Sequence, residues 1–472
     1  MKRLMTTLMA LGVAWTVSAE TILLECEQFK DLGGWSIDSQ FIDEMGSSYL
    51  LAHGLGKPVA DATTTFEVKK GGRYNVFVRT KNWTAKWSTE LGAGRFNLIV
   101  NGEKLSNLLG VQGKGEWLWV KVDDVTLKAG TNTLALHDVS GFDGRCDAIC
   151  FSTDSPDDVD PAGRPCLNWL DVRPFSTIAC SGCTYDLCVV GGGIAGICTA
   201  ISAARLGLKV ALVQDRPILG GANSSEVRVH LGGAINLGPY PRLGDVVAEI
   251  GPAQGGNAQP AGRYEDKRKL DVVAAEKNIH LYLNTRVQGV NKEGDAIVSV
   301  VGVDTVSGAL TRFTAPLFVD ATGDGNIGAR AGADFRMGRE SRAETGEDMA
   351  PDVADSMTMG ASVQWYTKTN ATEVAFPSLP WMIPFNERNC EHNLRGDWDW
   401  ETGMMRDQIA EFERIRDYGM LVAYSNWSYL KNKSPKKAKY AKRSFSWVAF
   451  VAGKRESRRL LGDHILTQQD VF

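Results

Sequence analysis

Beyond its first nineteen positions the 472-residue sequence has no apolar run long enough to cross a bilayer. Net charge is equally scarce: 52 Lys and Arg stand against 56 Asp and Glu, leaving −4. Such a balance supplies no basic surface for nucleic acid or an anionic membrane. Lys431 to Arg443 is the one basic cluster and reads as a solvated loop. Nine cysteines are present, but nowhere in the Cys-x2-Cys-x2-Cys-x3-Cys run that holds an iron–sulfur cluster. Nor can a tyrosine, histidine and arginine lyase constellation be assembled. What remains is an ordinary globular composition, 43% hydrophobic and 23% charged, long enough for two or three domains.

The beginning is distinctive. Met1-Lys2-Arg3 is a short positive region, Leu4 to Val17 is apolar, and Val17-Ser18-Ala19 ends in small residues. This pattern predicts a secretory signal (1–19) cleaved after Ala19, with an uncleaved anchor as the alternative. No cysteine follows where a lipoprotein signal needs one, so the mature protein is expected to be periplasmic or extracellular, without a membrane span. Export permits disulfides. Cys146 with Cys150, or Cys180 with Cys183, are the near pairs, and the odd total leaves at least one thiol free.

Residues 20–153 carry short alternating runs: Tyr74 to Arg79, Phe96 to Val100, Trp117 to Val122 and Thr133 to His137. Turn signals at Gly71-Gly72, Asn101-Gly102 and Ala129-Gly130 separate them, and together they predict an antiparallel β-sandwich. A linker rich in Asp and Pro follows (154–183), and then the character changes. Asp186 to Val190 is an apolar strand, Gly191-Gly-Gly-Ile-Ala-Gly196 a glycine turn, Ala200 to Gly207 a small-residue helix and Lys209 to Val213 a second strand. In this βαβ unit Gly191 permits the turn, Gly193 admits a pyrophosphate and Gly196 lets helix and strand pack. The amides of Ile194, Ala195 and Gly196 open the helix toward the phosphates. The acid expected at the end of the second strand is replaced by Gln214, with Asp215 next, 18 and 19 residues after Gly196. Either could hold the ribose.

With Ile218-Leu-Gly220-Gly221 and the later Val319-Asp-Ala-Thr-Gly-Asp-Gly325, residues 184–472 resemble the FAD-dependent oxidoreductases of glutathione-reductase-type fold, related to the flavin subunit of heterodisulfide reductases. The resemblance implies an α/β Rossmann-type domain and FAD rather than NAD. It implies that Gly220, Gly221, Gly323, Asp324 and Gly325 face the flavin, and that Val287 meets the adenine through its backbone. Relatives in that group carry iron–sulfur clusters, a cofactor the cysteine spacing here does not support. Proteins of this fold return to the sheet with a glycine- and alanine-rich strand and helix; nothing after Gly325 has that character, so a truncated flavin domain is expected. The 20–153 segment resembles a golvesin- or xanthan-lyase-type carbohydrate-binding sandwich through Glu25-Cys-Glu27, Gly33-Gly34-Trp35, Gly72-Arg-Tyr74 and Gly141-Phe-Asp-Gly144. Trp35, Trp83, Trp87, Trp117 and Trp119 are then candidates to stack on sugars or to fill the core.

If Glu226 to His230 is extended, Glu226, Arg228 and His230 share one face just past the Gly-Gly turn, an acid, a cation and an imidazole suited to flavin chemistry. A solvated strand face is the plain alternative. Leu270, Val273 and Ala274 predict one helical stripe, and Met405, Ile409 and Phe412 another. Trp365, Tyr366, Trp381, Trp398 and Trp400 line a substrate cap or pack a core. Gly338-Arg-Glu-Ser-Arg342 is echoed at Lys454-Arg-Glu-Ser-Arg458, a repeat that favours structural salt bridges over anion binding. The expected activity is hydride transfer between the flavin and a small-molecule or glycan substrate, with an electron acceptor the sequence does not identify. The competing expectation is a carbohydrate-binding protein with a vestigial flavin domain.

Overall fold

The computed structural model describes residues 20–153, 177–178, 184–233, 236, 238–251, 255–396 and 399–471. The signal segment, most of the linker, Cys166, Cys180, Cys183 and Trp398 lie outside the described residues. Among those described, no helix is long and apolar enough to cross a membrane.

Residues 20–153 form two antiparallel sheets. One runs Ser36–Asp38, Tyr49–Ala52, Gly144–Ser152, Gly72–Lys81, Trp117–Lys121; the other Ala62–Val68, Gly130–Asp138, Phe96–Val100, Glu103–Lys104. Alternation puts Tyr74, Val76 and Val78 inside, and Phe66 stacks on Phe151 across the sheets at 4.7 Å. The Asn101-Gly102 hairpin forms, with φ of 50° and 84° at its two central residues, the left-handed pair a type I′ turn needs.

The tryptophans do not make a sugar platform. Trp35, Trp83 and Trp119 are buried; Trp117 packs on Tyr49 and donates to Glu413, and Trp87 packs on Tyr418. Cys146 and Cys150 do not face each other either. A register shift between Cys146 and Ala148 turns them to opposite sides of the sheet, and Cys146 meets Cys26 instead, with sulfurs 3.4 Å apart.

In the C-terminal part, four parallel strands stand in the order Ile279–Tyr282, Val210–Val213, Leu187–Val190, Leu317–Asp320, and the helix Ile194–Arg205 crosses between the middle two. A second sheet of Thr285–Glu293, Ala296–Asp304 and Leu310–Thr314 packs beside it. The expected stripe on Asp266–Ala275 is rotated: Val273 is buried but Leu270 and Ala274 are exposed, and Lys269 lies inside, donating to the Tyr264 carbonyl. Met405 and Ile409 precede the long helix Phe412–Asn432 rather than striping it; its buried side runs through Ile415, Met420, Tyr424 and Trp427. Trp365 and Trp381 belong to that helix's core, not to a cap.

That helix locks onto the outer face of the sandwich. Arg145 grips Asp417 with both terminal nitrogens (2.6 and 2.9 Å), Lys81 pairs with Glu413 (2.5 Å), and Arg416 reaches Asp38 (2.9 Å) and the Tyr49 hydroxyl (2.9 Å). Three cations thus meet three anions, and Arg145 and Arg416 are fully buried. The two parts share a core as well, in which Trp83 and Phe142 of the sandwich touch Trp381 and Tyr424.

His53 bridges the same interface, with Nδ1 2.6 Å from Asp143 Oδ1 and Nε2 2.7 Å from the Val448 carbonyl. Both neighbours are acceptors, so both nitrogens donate and the ring is an imidazolium. Burial pushes its pKa down and Arg416 adds to that, but Asp143 and the carbonyl outweigh them and the value is raised. A raised histidine stabilises fully below its unfolded value of about 6.5 and loses that contribution as pH rises through the folded value. Denaturant unfolding of His53→Gln should therefore show a flatter fall of stability as pH rises above about 6.5. A slope equal to that of the unmutated protein would refute the charged ring.

Candidate active site

A cavity of about 780 Å³ opens at the carboxyl ends of the parallel strands, where α/β sheets place their ligands. Its floor is the glycine turn. Gly191 has φ +108°, and a Cβ there would lie 2.2 Å from the Ala321 carbonyl oxygen. At Gly196 it would lie 1.8 Å from the Gly191 oxygen, so helix and strand touch because both residues lack side chains. Gly193 differs: a Cβ there would meet nothing within 4 Å. Its open side is the cleft, and the helix ladder begins only at Ile197 N–H to the Gly193 carbonyl. The amides of Ile194, Ala195 and Gly196 precede that first bond. Gly220 (φ +114°) and Gly221 (φ +56°) fold back onto this turn, Gly220 bridging to Gly193.

Gln214 and Asp215 both line the cleft but are not equally available. Gln214 Oε1 accepts from the Gly192 amide (2.7 Å) and its Nε2 donates to the Ile218 carbonyl (3.2 Å), so it braces the turn. Asp215 pairs through Oδ2 with Arg286, 2.8 Å away. Val287 is buried on the cleft wall, paired in its ladder with Gly302.

On another wall, Gly323 (φ +83°) and Asp324 line the cleft, whereas Gly325 (φ +60°), expected to face the flavin, does not line it and turns its open side to Leu460. The acid that precedes them, Asp320, acts locally. It accepts from the Thr322 hydroxyl and from the amides of Ile327 and Gly328, starting the next helix. Asp324 is held by the second copy of the repeat. Lys454 Nζ donates to Oδ2 (2.8 Å), the Ser457 hydroxyl to Oδ1 (2.6 Å) and Arg458 Nε to its carbonyl (2.9 Å). Lys454 lies 4.0 Å from the Phe412 ring centre; burial lowers its pKa, which Asp324 partly restores. The first copy is structural as expected: Arg339 pairs with Asp355, and Ser341 with Glu344 forms a capping box. The repeat's similarity in sequence conceals a difference in place.

The Glu226, Arg228, His230 face does not form. Ser225 to Val227 make a turn and Arg228 has φ +63°, so the strand that would align the three is missing. Arg228 donates to the Ser225 and Gln259 carbonyls and stacks 3.8 Å over Trp447; burial pulls its pKa down to about 10. His230 is tied through Nδ1 to Asn257 Oδ1 at 2.6 Å. Of the three only Glu226 reaches the cleft wall, and it is gripped by Arg216 at 2.6 and 3.0 Å.

The sandwich completes the wall. Gln40, Phe41, Asp43 and Glu44 line the cleft, Asp43 joining Arg286 (2.5 Å) and Arg330 (3.0 Å), and Ser39 accepting from Arg216 (3.0 Å). Nothing in the local sequence of 38–44 marks this, because the contacts come from residues more than a hundred positions away.

The family model described as FAD dependent oxidoreductase matches residues 186–472. A curated protein, the mitochondrial dihydrolipoyl dehydrogenase of Schizosaccharomyces pombe, is 45% identical over 58 residues, 12% of this chain; the match spans 11% of that relative's length. Two solved structures are similar over part of the chain. A glycerol-3-phosphate dehydrogenase from Bacillus halodurans complexed with FAD is 17% identical over 32% of this chain and 37% of its own, with a TM-score of 0.23. The C-terminal CBM6 of a Zobellia galactanivorans laminarinase is 19% identical over 28% of this chain and 100% of its own, with a TM-score of 0.22.

Proposed function

The chain belongs to the FAD dependent oxidoreductase family, and from that premise we propose that the cleft above the glycine turn seats the dinucleotide of a Rossmann-type domain and that the sandwich shapes its substrate end. The enzyme is FAD-dependent. The observation that carries the seat is Gly193, whose missing side chain faces an open cavity while its neighbours Gly191 and Gly196 are closed by backbone oxygens.

The residues present fit the cofactor. The amides from Gly193 to Gly196 would hold the pyrophosphate, Asp215 the ribose and the backbone of Val287 the adenine, with Gly220, Gly221, Gly323 and Asp324 against the rest. Gln214 serves by fixing Gly192. When bound, FAD supplies two-electron oxidation or reduction of a substrate carbon. The chain's own contribution is charge and shape: Lys454 sets a cation beside Asp324 in the cleft, and the Arg216–Glu226 pair fixes a second charged wall.

A hydroxyl-rich, sugar-like substrate suits the Glu44 carboxyl and the Gln40 amide oxygen that the sandwich presents at the cleft. Burial, and then Glu413, raise the Glu44 pKa. With its tryptophans committed to packing, the sandwich acts as a wall of the enzyme rather than a detachable sugar module. The composition of Met1 to Ala19 supports work outside the cytoplasm.

Protein purified with its sandwich should keep flavin absorption bands through desalting, and those bands should bleach anaerobically with a sugar or sugar-alcohol substrate. Failure to retain flavin, together with no response to added FAD, would overturn the seat. Retained flavin with no bleaching across sugars would overturn the substrate class alone.

A further inference from the structure

Away from the cleft, on the segment before the long helix, three different donor side chains converge. Glu387, Cys390 and His392 bring a carboxylate oxygen, a sulfur and a ring nitrogen within 4.8 Å of one another. We propose that they form a binding site for a divalent transition metal of zinc type, with three protein ligands and a fourth position open.

The sulfur–nitrogen and nitrogen–oxygen separations match those of a tetrahedral zinc. Zinc bonds of about 2.3 Å to sulfur and about 2.0 Å to nitrogen or oxygen, at tetrahedral angles, put sulfur about 3.6 Å from nitrogen or oxygen and nitrogen about 3.3 Å from oxygen. Here Cys390 Sγ is 3.6 Å from His392 Nε2 and His392 Nε2 is 3.1 Å from Glu387 Oε2. A mixed sulfur, nitrogen and oxygen set suits zinc better than magnesium or calcium, which take oxygen alone.

The outer contacts are those a ligand set needs. His392 Nδ1 meets the Tyr440 hydroxyl at 2.8 Å, which aims Nε2 at the site. Glu387 Oε1 accepts from the Ser434 (2.7 Å) and Tyr429 (3.0 Å) hydroxyls, leaving Oε2 for the ion. The loop is pinned by Asn426, which accepts from the Glu391 amide and donates to the Glu391 carbonyl (3.0 Å each), and by the Cys390 amide on the Asn386 carbonyl. Sulfur ligates as a thiolate, so metal binding releases the Cys390 proton. Lys436 Nζ stands 3.4 Å from His392 Nε2 and has to swing away, which its exposed position allows.

The test adds Co²⁺ alone to the chelator-treated, reduced full chain and reads difference spectra, which remove any flavin contribution. A sulfur-to-cobalt charge-transfer band with tetrahedral visible bands, one equivalent per chain and displaced by Zn²⁺, is expected. Cys390→Ser should abolish the charge-transfer band, and Tyr440→Phe should weaken Zn²⁺ binding by about 10-fold, as loss of an orienting contact does. Circular dichroism checks that each variant folds. No thiolate band in the parent chain, or a band that survives in Cys390→Ser, would overturn the site.

Discussion

Gly193→Val protein should fold and unfold like the parent but leave purification without flavin. The position accepts a side chain: its φ of −69° and ψ of 178° are ordinary for valine, and the new Cβ meets nothing within 4 Å. What the side chain fills is the space over the amides of the helix start. Each hydrogen bond from such an amide to a charged phosphate is worth about 1.5–3 kcal/mol. Forcing the pyrophosphate off even one or two of them should weaken FAD by on the order of 100-fold. Gly196→Ala is the contrasting variant. Its Cβ would fall 1.8 Å from the Gly191 oxygen, so helix and strand must part, and stability should drop by about 1–3 kcal/mol. Equilibrium titration with FAD, set beside denaturant unfolding, separates the two effects. A Gly193→Val protein that binds FAD as the parent does would remove the phosphate seat from this turn.

The turn is legible in the sequence because its chemistry is local. A strand, three spaced glycines and a small-residue helix specify one another over about twenty residues, and the period-two runs of the sandwich are local in the same sense. The Gly323–Gly325 turn is legible only by resemblance, and the reason for Asp320 emerges only when the helix it caps is seen. Three features are hidden. Strand alternation at Glu226 to His230 fits the residue pattern, yet Ala258 N–H and the Tyr264 hydroxyl take the Arg228 carbonyl and hold that residue at positive φ. Aromatic residues in the sandwich resemble platforms, but Trp35 fills the sandwich core while Trp83, Trp87 and Trp117 pack against the C-terminal part. Ser457 and Arg458 are identical to their twins Ser341 and Arg342 in the repeat, and only their fold neighbour Asp324 distinguishes them. In each case the deciding partner is distant in sequence.

Replacing Asp417 with asparagine should cost about 3–5 kcal/mol, the penalty for stranding buried charge. Asp417 Oδ1 accepts from Arg145 (2.6 Å) and Arg416 (2.8 Å), and Oδ2 from Arg145 (2.9 Å). An amide of the same shape turns one of these oxygens into a donor facing a guanidinium, and three cations then face two anions where neither arginine has water to turn to. The double variant Arg145→Met with Asp417→Leu removes a charge of each sign and should recover part of the loss. Acid acts on the same groups. Burial raises the Asp417 and Asp38 carboxyls, but the guanidiniums facing them outweigh it: Arg145 and Arg416 at Asp417, Arg416 and Arg216 at Asp38. Both pKa values are depressed, so their stabilisation is present above the unfolded value of about 3.9 and lost only as pH falls through the lower folded values. The parent should resist acid to below about pH 4, and Asp417→Asn should lose part of that acid-sensitive slope. Urea unfolding read at both pH extremes measures this directly, and a loss below about 1 kcal/mol for Asp417→Asn would mean the network is solvated in solution. The cleft shares in the answer, because Gln40, Phe41, Asp43 and Glu44 on its wall directly follow Asp38, which Arg416 clasps together with Tyr49.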